Sequence, residues 1–142
     1  MKIWAFDPGS NATGAAYIED SDTRLTWWAS QYADPLEAWE RLIDHGGKDD
    51  IVLIEDYRTA GHLTKEAKAT LKVVGFLEHS ARYGWGWGAN EPVMRMEQHR
   101  LSGRREAAEL MGGTIDVLES EKYRKDAFSA LAHCCSYRRT LV

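Results

Sequence analysis

The chain has 142 residues, 44% of them hydrophobic and 28% charged, a size and balance that fit one globular domain spanning residues 1–142 with a sizeable buried core. No apolar run approaches the roughly 18 residues needed to cross a bilayer, and no basic-then-apolar leader opens the chain, which argues against a membrane or secreted protein. The net charge of −4 weighs mildly against a nucleic-acid partner, and a cytoplasmic, intracellular protein is expected.

The charge is unevenly divided. Residues 1–57 hold 12 acidic and 4 basic side chains, a balance of −8, whereas residues 58–142 hold 10 and 14, a balance of +4. Cys134 and Cys135 are adjacent, a poor arrangement for a structural disulfide and no metal-binding spacing, and both read as reduced thiols.

In chain order, Ile3-Trp4-Ala5-Phe6 reads as a short strand that runs out at Asp7, where Pro8-Gly9-Ser10-Asn11 makes a turn. Ala15-Ala16-Tyr17-Ile18 returns as a hairpin partner, and the run from Arg24 to Tyr32 follows the polar turn 19–23 as a third antiparallel strand. Asp34-Pro35-Leu36-Glu37 is a helix start with N-cap, first-turn proline and capping-box glutamate. That helix should end near Gly46-Gly47, and its Leu36, Trp39, Leu42 and Ile43 should form the face against the sheet.

Ile51-Val52-Leu53-Ile54 is a continuous apolar run, the mark of a central strand buried on both faces, and Glu55-Asp56 follows at once. Carboxylates thus stand at the ends of two candidate neighbouring strands. Adjacent strands lie about 5 Å apart, so the groups would repel unless a divalent cation neutralised them; solvated strand ends are the plainer reading.

Residues 63–83 form the longest helical pattern, with two apolar stripes: Leu63, Ala67, Leu71, Val74, Leu77 and Ala81, and Ala69, Val73 and Phe76. One stripe can cover the sheet, and the second suggests a second copy of the chain in a homodimer or deeper packing within the monomer. The tryptophans of Gly84-Trp85-Gly86-Trp87-Gly88 belong to a loop, closing a core edge or stacking on unpaired bases. Pro92 to Glu97 reads as a fifth strand, followed by a basic turn and a short helix ending at Met111. Arg100, Arg104 and Arg105 of that turn are candidate phosphate contacts, or plain surface arginines.

A last helix, rich in small residues, begins near Lys122 and carries Asp126 toward the place where Asp7 and Glu55 point; Ala127, Ala130 and Ala132 would let it approach the sheet closely. His133 lies seven residues beyond Asp126, about 10 Å along the axis, too far to share one metal with it, and reads as structural.

The ordered set Phe6-Asp7-Pro8-Gly9-Ser10 with Thr13-Gly14, Ile54-Glu55, the long helix, and Asp126-Ala127 with Ala130-Leu131-Ala132-His133 resembles the RuvC-type Holliday-junction resolvases. The resemblance covers nearly the whole chain, and its compactness fits a viral member. It implies an α/β, RNase H-like fold: a five-stranded mixed sheet, its first three strands antiparallel, flanked by helices. It implies a homodimeric endonuclease that binds four-way DNA junctions and cuts paired strands symmetrically with two Mg²⁺ or Mn²⁺ ions.

Carried over by residue, Asp7 would bridge the metals, and Glu55 and Asp126 would ligate them. Tyr57, Arg58 and Lys65 would contact DNA, and the long helix would form the dimer interface. The sequence departs from the pattern at the last helix, where the family places two ligands three residues apart and Asp126 has Tyr123 and Ser129 at that spacing. Glu119 or Glu121 is an alternative fourth ligand. Three other readings stay open: a non-catalytic dimeric DNA-binding scaffold, a less specific structure-selective nuclease of the same fold, and an actin-like ATPase or sugar kinase. The last shares the Asp7-Pro8-Gly9-Ser10 turn but needs two lobes that 142 residues do not supply.

Overall fold

The computed structural model describes residues 1–47, 49–55, 64–81, 93–96 and 102–141. Strands β1 (Lys2–Asp7), β2 (Thr13–Asp20), β3 (Leu25–Tyr32), β4 (Ile51–Glu55) and β5 (Val93–Met96) form one sheet in the order β3-β2-β1-β4-β5. The first three strands are antiparallel, while β4 runs parallel to β1 and β5 parallel to β4. This is the five-stranded mixed sheet expected from the sequence.

Helix α1 (Pro35–His45) starts as its sequence dictates: the Asp34 carboxylate accepts the Leu36 N–H at 2.9 Å and Pro35 occupies the first turn. The Gly46 N–H closes the helix on the Leu42 carbonyl at 2.7 Å. Its buried residues are Ala38, Trp39 and Leu42, whereas Leu36 and Ile43, expected on the same face, are exposed. The contact is centred on Trp39, whose ring lies 6.3 Å from that of Phe6, and this rotates Leu36 and Ile43 out to the rim.

Helix α2 (Lys65–His79) buries Ala67, Thr70, Val74 and Leu77. Leu71, expected in this stripe, is exposed, and its place is taken by Thr70, whose hydroxyl donates to the Glu66 carbonyl at 3.0 Å and so enters the interface satisfied. Of the second stripe, Val73 and Phe76 are partly buried against the core of the monomer.

Helix α3 (Arg104–Met111) begins earlier than anticipated, so Arg104 and Arg105 lie in its first turn rather than in a preceding loop. The short helix α4 (Ile115–Ser120) was not foreseen; it buries Leu118 alone, too little for a periodic signal. The final helix, α5 (Lys125–Thr140), starts a few residues later than its composition suggests. Cys134 and Cys135 are buried free thiols, as expected. No helix among the described residues is long and apolar enough to cross a membrane.

Strand alternation sorts the core into two layers. Trp4 and Phe6 of β1, with Val52 and Ile54 of β4, pack on one face with Trp39, Val74 and Leu77. Ile3 and Ala5, with Ala16, Ile18 and Leu53, pack on the other with Phe128, Ala130, Leu131, Ala132 and Cys134 of α5. The second layer is built of small side chains where helix meets sheet, so α5 lies close against the strands. Gly103 extends that closeness, since a Cβ there would stand 2.3 Å from the Ala132 carbonyl oxygen.

Candidate active site

Alternation along β1 puts Asp7 on the α5 face with Ile3 and Ala5, and along β4 it puts Glu55 there with Ile51 and Leu53. Phe6 pairs with Ile54 in the parallel register, so Asp7 and Glu55 follow side by side at the carboxyl ends of the two central strands. Such strand ends are where ligands bind in open α/β sheets.

The third carboxylate is brought in by the docking of α5. Asp7 pairs with Gly14 across β1 and β2, and Gly14 pairs with Gln31 across β2 and β3. A Cβ at Gly14 would stand 1.9 Å from the Asp126 carbonyl oxygen and 2.9 Å from the Ala127 nitrogen, so only glycine lets the first turn of α5 rest on the sheet there. Gln31 completes the seat: its Oε1 accepts the Asp126 N–H at 2.9 Å, and its Nε2 donates to the Lys122 carbonyl at 2.9 Å. Arg124, the residue before α5, makes no side-chain cap, so Gln31 satisfies from β3 a donor that the helix itself leaves open. Gly14, the cross-strand neighbour of Asp7, and Gln31 one strand beyond it therefore fix where Asp126 stands.

The electrostatics follow. Asp7 holds its proton well above the usual carboxylate range, chiefly because burial disfavours its charge, and next because it shares a hydrogen bond with Glu55 and feels the charges of Glu55 and Asp126; a hydrogen bond from Ser129 opposes the shift. Ser129 is the residue one turn after Asp126, so a hydroxyl on Asp7 occupies the position where a fourth carboxylate was sought. Tyr123, one turn before, is 82% exposed.

Of the two alternatives for that fourth group, Glu119 lines the same cleft and is engaged by Arg104, whereas Glu121 pairs with Arg124 on the surface. The cleft, with a volume of about 340 Å³, also carries Asp7, Lys125, Asp126 and Ser129. His133, expected to be structural, is indeed buried, but its Nε2 lies 3.2 Å from Glu55 Oε2, where the middle of α5 meets the end of β4.

Among the described residues, no three His, Cys, Asp or Glu side chains already converge closely enough to enclose a metal ion. The donor chemistry nonetheless suits a hard divalent cation: Asp7, Glu55 and Asp126 offer carboxylate oxygens, and the raised proton affinity of Asp7 reflects first its burial and then the neighbouring carboxylates. A cation held by them would offset the repulsion among these carboxylates.

Of the expected DNA contacts, Arg104 lies in the cleft, Arg105 is exposed on α3, and Lys65 is exposed at the start of α2. Tyr57, Arg58 and Arg100 lie outside the described residues, as do Asp56 and the tryptophan loop. Gln31, Ser129 and His133 were missed as parts of the site. Period-two counting back from Tyr32 puts Gln31 on a definite face of β3, but which face meets α5 is not written in β3 itself.

No protein-family model matches the chain, and no characterised protein resembles it significantly in sequence. Solved structures do resemble it in shape. Thermus thermophilus RuvC in complex with Holliday junction substrate matches with a TM-score of 0.64 at 14% identity, over 99% of this chain and 96% of that one. A second T. thermophilus RuvC structure matches with a TM-score of 0.57 at 15% identity over the same shares, 99% and 96%. The fowlpox virus Holliday junction resolvase matches with a TM-score of 0.53 at 16% identity, over 100% of both chains. The chain has the RuvC-type resolvase fold.

Proposed function

We propose that this protein is a metal-dependent endonuclease that binds four-way DNA junctions and cleaves them by phosphodiester hydrolysis. The observation that carries the reading is that Asp7 and Asp126 line one cleft and Asp7 also interacts with Glu55, three carboxylates from three elements, in a fold shared with Holliday junction resolvases. Their oxygens would hold Mg²⁺ or Mn²⁺, two ions in the fullest arrangement, supplying the Lewis acidity that phosphoryl chemistry needs.

The chain's own residues divide the remaining work. Gln31 and Gly14 keep Asp126 in place, and Ser129 and His133 orient Asp7 and Glu55. Arg104 stands in the cleft as a positive group for the phosphate whose P–O bond to the 3′-oxygen breaks as water adds. Arg105 and Lys65 would extend the contact along the backbone, with Tyr57, Arg58 and Arg100 as further candidates. Symmetric cutting calls for two sites, and α2, with Val73 and Phe76 only partly covered, is the proposed homodimer face.

The test is a synthetic four-way junction incubated with purified protein and Mg²⁺ or Mn²⁺, beside Asp7→Asn. We expect paired nicks across the junction and a loss of at least about a thousandfold in the variant, as for removal of an essential catalytic group. Junction binding without cutting by either metal would replace this reading with the scaffold, favoured by the hydroxyl of Ser129 where a carboxylate was sought. Equal cutting of linear duplex and flaps would leave a less specific nuclease.

A further inference from the structure

Beside the carboxylate cleft lies a second one, of about 370 Å³, on the other side of the first turn of α5. The two share Lys125 and Asp126, so a chain threading one runs directly into the other. Asn11 from the β1–β2 turn, Tyr32 from the end of β3, and Lys122 and Tyr123 before α5 line it.

Two features of this cleft have no role in holding the fold. Tyr123 is 82% exposed, more than any other large hydrophobic side chain among the described residues, so its ring contributes little to the core. Lys122 Nζ stands 5.9 Å from the centre of that ring, and Lys125 adds a second positive charge against the single carboxylate of Asp126. The first cleft gathers three carboxyl groups beside Arg104 and Lys125; its neighbour has two lysines against one carboxylate, with an aromatic surface.

We propose that the second cleft is a nucleotide subsite. It takes the unpaired nucleotide adjacent to the scissile phosphate, with the base stacked on Tyr123 and that nucleotide's own phosphate between Lys122 and Lys125. This deepens the nuclease reading and rests on it. The alternation of charge matches a strand in which one phosphate is met by cations over carboxylates and the next directly by lysines. A flat π-face beside lysines stacks any base without reading its edge.

About 370 Å³ lies at the lower end of small-molecule sites and has room for one nucleotide. A base seated there on Tyr123 is unstacked from its neighbour in the strand, which would make branch points better substrates than continuous duplex, independently of any contact to the other arms.

Photocrosslinking tests this. A four-way junction carrying 5-iodouracil in turn at each nucleotide flanking the branch point is bound in EDTA, irradiated, and the adduct mapped by mass spectrometry. We expect a crosslink to Tyr123 from one position, and an affinity for the junction that falls about tenfold in Tyr123→Ala but is restored in Tyr123→Phe, the loss expected of one base–aromatic stack. The exposure of Tyr123 makes a folding defect in either variant easy to exclude by circular dichroism. Junction binding with crosslinks only elsewhere and an unchanged Tyr123→Ala affinity would overturn the subsite and leave the nuclease reading standing. Neither binding nor cleavage of the junction by the native protein would overturn both.

Discussion

Asp50 and Asp7 stand at opposite ends of the same sheet, and their surroundings are opposites. Asp50, 4% exposed at the start of β4, accepts the Lys2 N–H at 2.8 Å, the Trp4 indole N–H at 3.0 Å and the Gly47 N–H at 2.7 Å. Its negative charge is solvated by three protein donors, and in return it fastens the beginning of β1 to the loop before β4. Asp7 ends β1 among Glu55 and Asp126, with Ser129 as the donor that eases its charge. One aspartate is where the fold gains; the other is where the rest of the fold holds an unfavourable arrangement in place. Buried acids that lack donors and face other acids are the ones to suspect of chemistry.

The contrast can be broken most severely at the seat of Asp126. Gly14→Val forces side-chain atoms into the Asp126 carbonyl, and we expect a loss of about 3 kcal/mol or more by urea denaturation together with loss of cleavage. At the other end, Asp50→Ala leaves three donors, that of Trp4 buried and the others half-buried, without their acceptor and should cost about 3 kcal/mol in the same measurement, with cleavage retained wherever the protein is folded. Gln31→Leu leaves the Asp126 N–H open and should cost only about 1 kcal/mol. Cleavage should nonetheless fall by about tenfold or more, because the loss is one of position.

Asp7→Asn should move stability in the opposite direction from Asp50→Ala. A carboxyl whose proton affinity is raised by folding imposes no penalty below its unfolded value near 3.8, and an increasing one as pH rises through that value toward the folded one. In EDTA, therefore, the variant should melt above the native protein at neutral pH, and the gap should close on acidification. Divalent metal should raise the melting temperature of the native protein and not that of the variant. The smallest effect concerns the tight α5 layer. Burial, followed by the charge of Glu106, pushes the Cys135 thiol up to about 12, and burial also holds that of Cys134 well above its ordinary value. Neither should react with iodoacetamide at pH 8 until the protein is unfolded.

How legible the molecule was depended on the range of the interactions. The Asp34-Pro35 helix start was readable because a cap is made within three residues, and β4 because four branched apolar residues in a row suit little else. The mistakes at Leu36, Ile43 and Leu71 share a cause: periodicity gives a helix an apolar side, but the angle at which that side meets the sheet is set by partners such as Phe6. Helix α4 carried too few residues for any pattern to form.

The sequence by itself determined the strands, the longer helices, and that Asp7 and Glu55 end two strands of one sheet, since turn chemistry and hydrophobic period are local properties of the chain. The last helix was also expected to carry Asp126 toward them, but tertiary structure alone decided that Gln31 and Gly14 are its seat, that Ser129 serves Asp7 and that His133 stands beside Glu55. Those facts depend on strand register and on the close docking of α5, contacts between residues as far apart as Gln31 and Asp126, which no local pattern encodes.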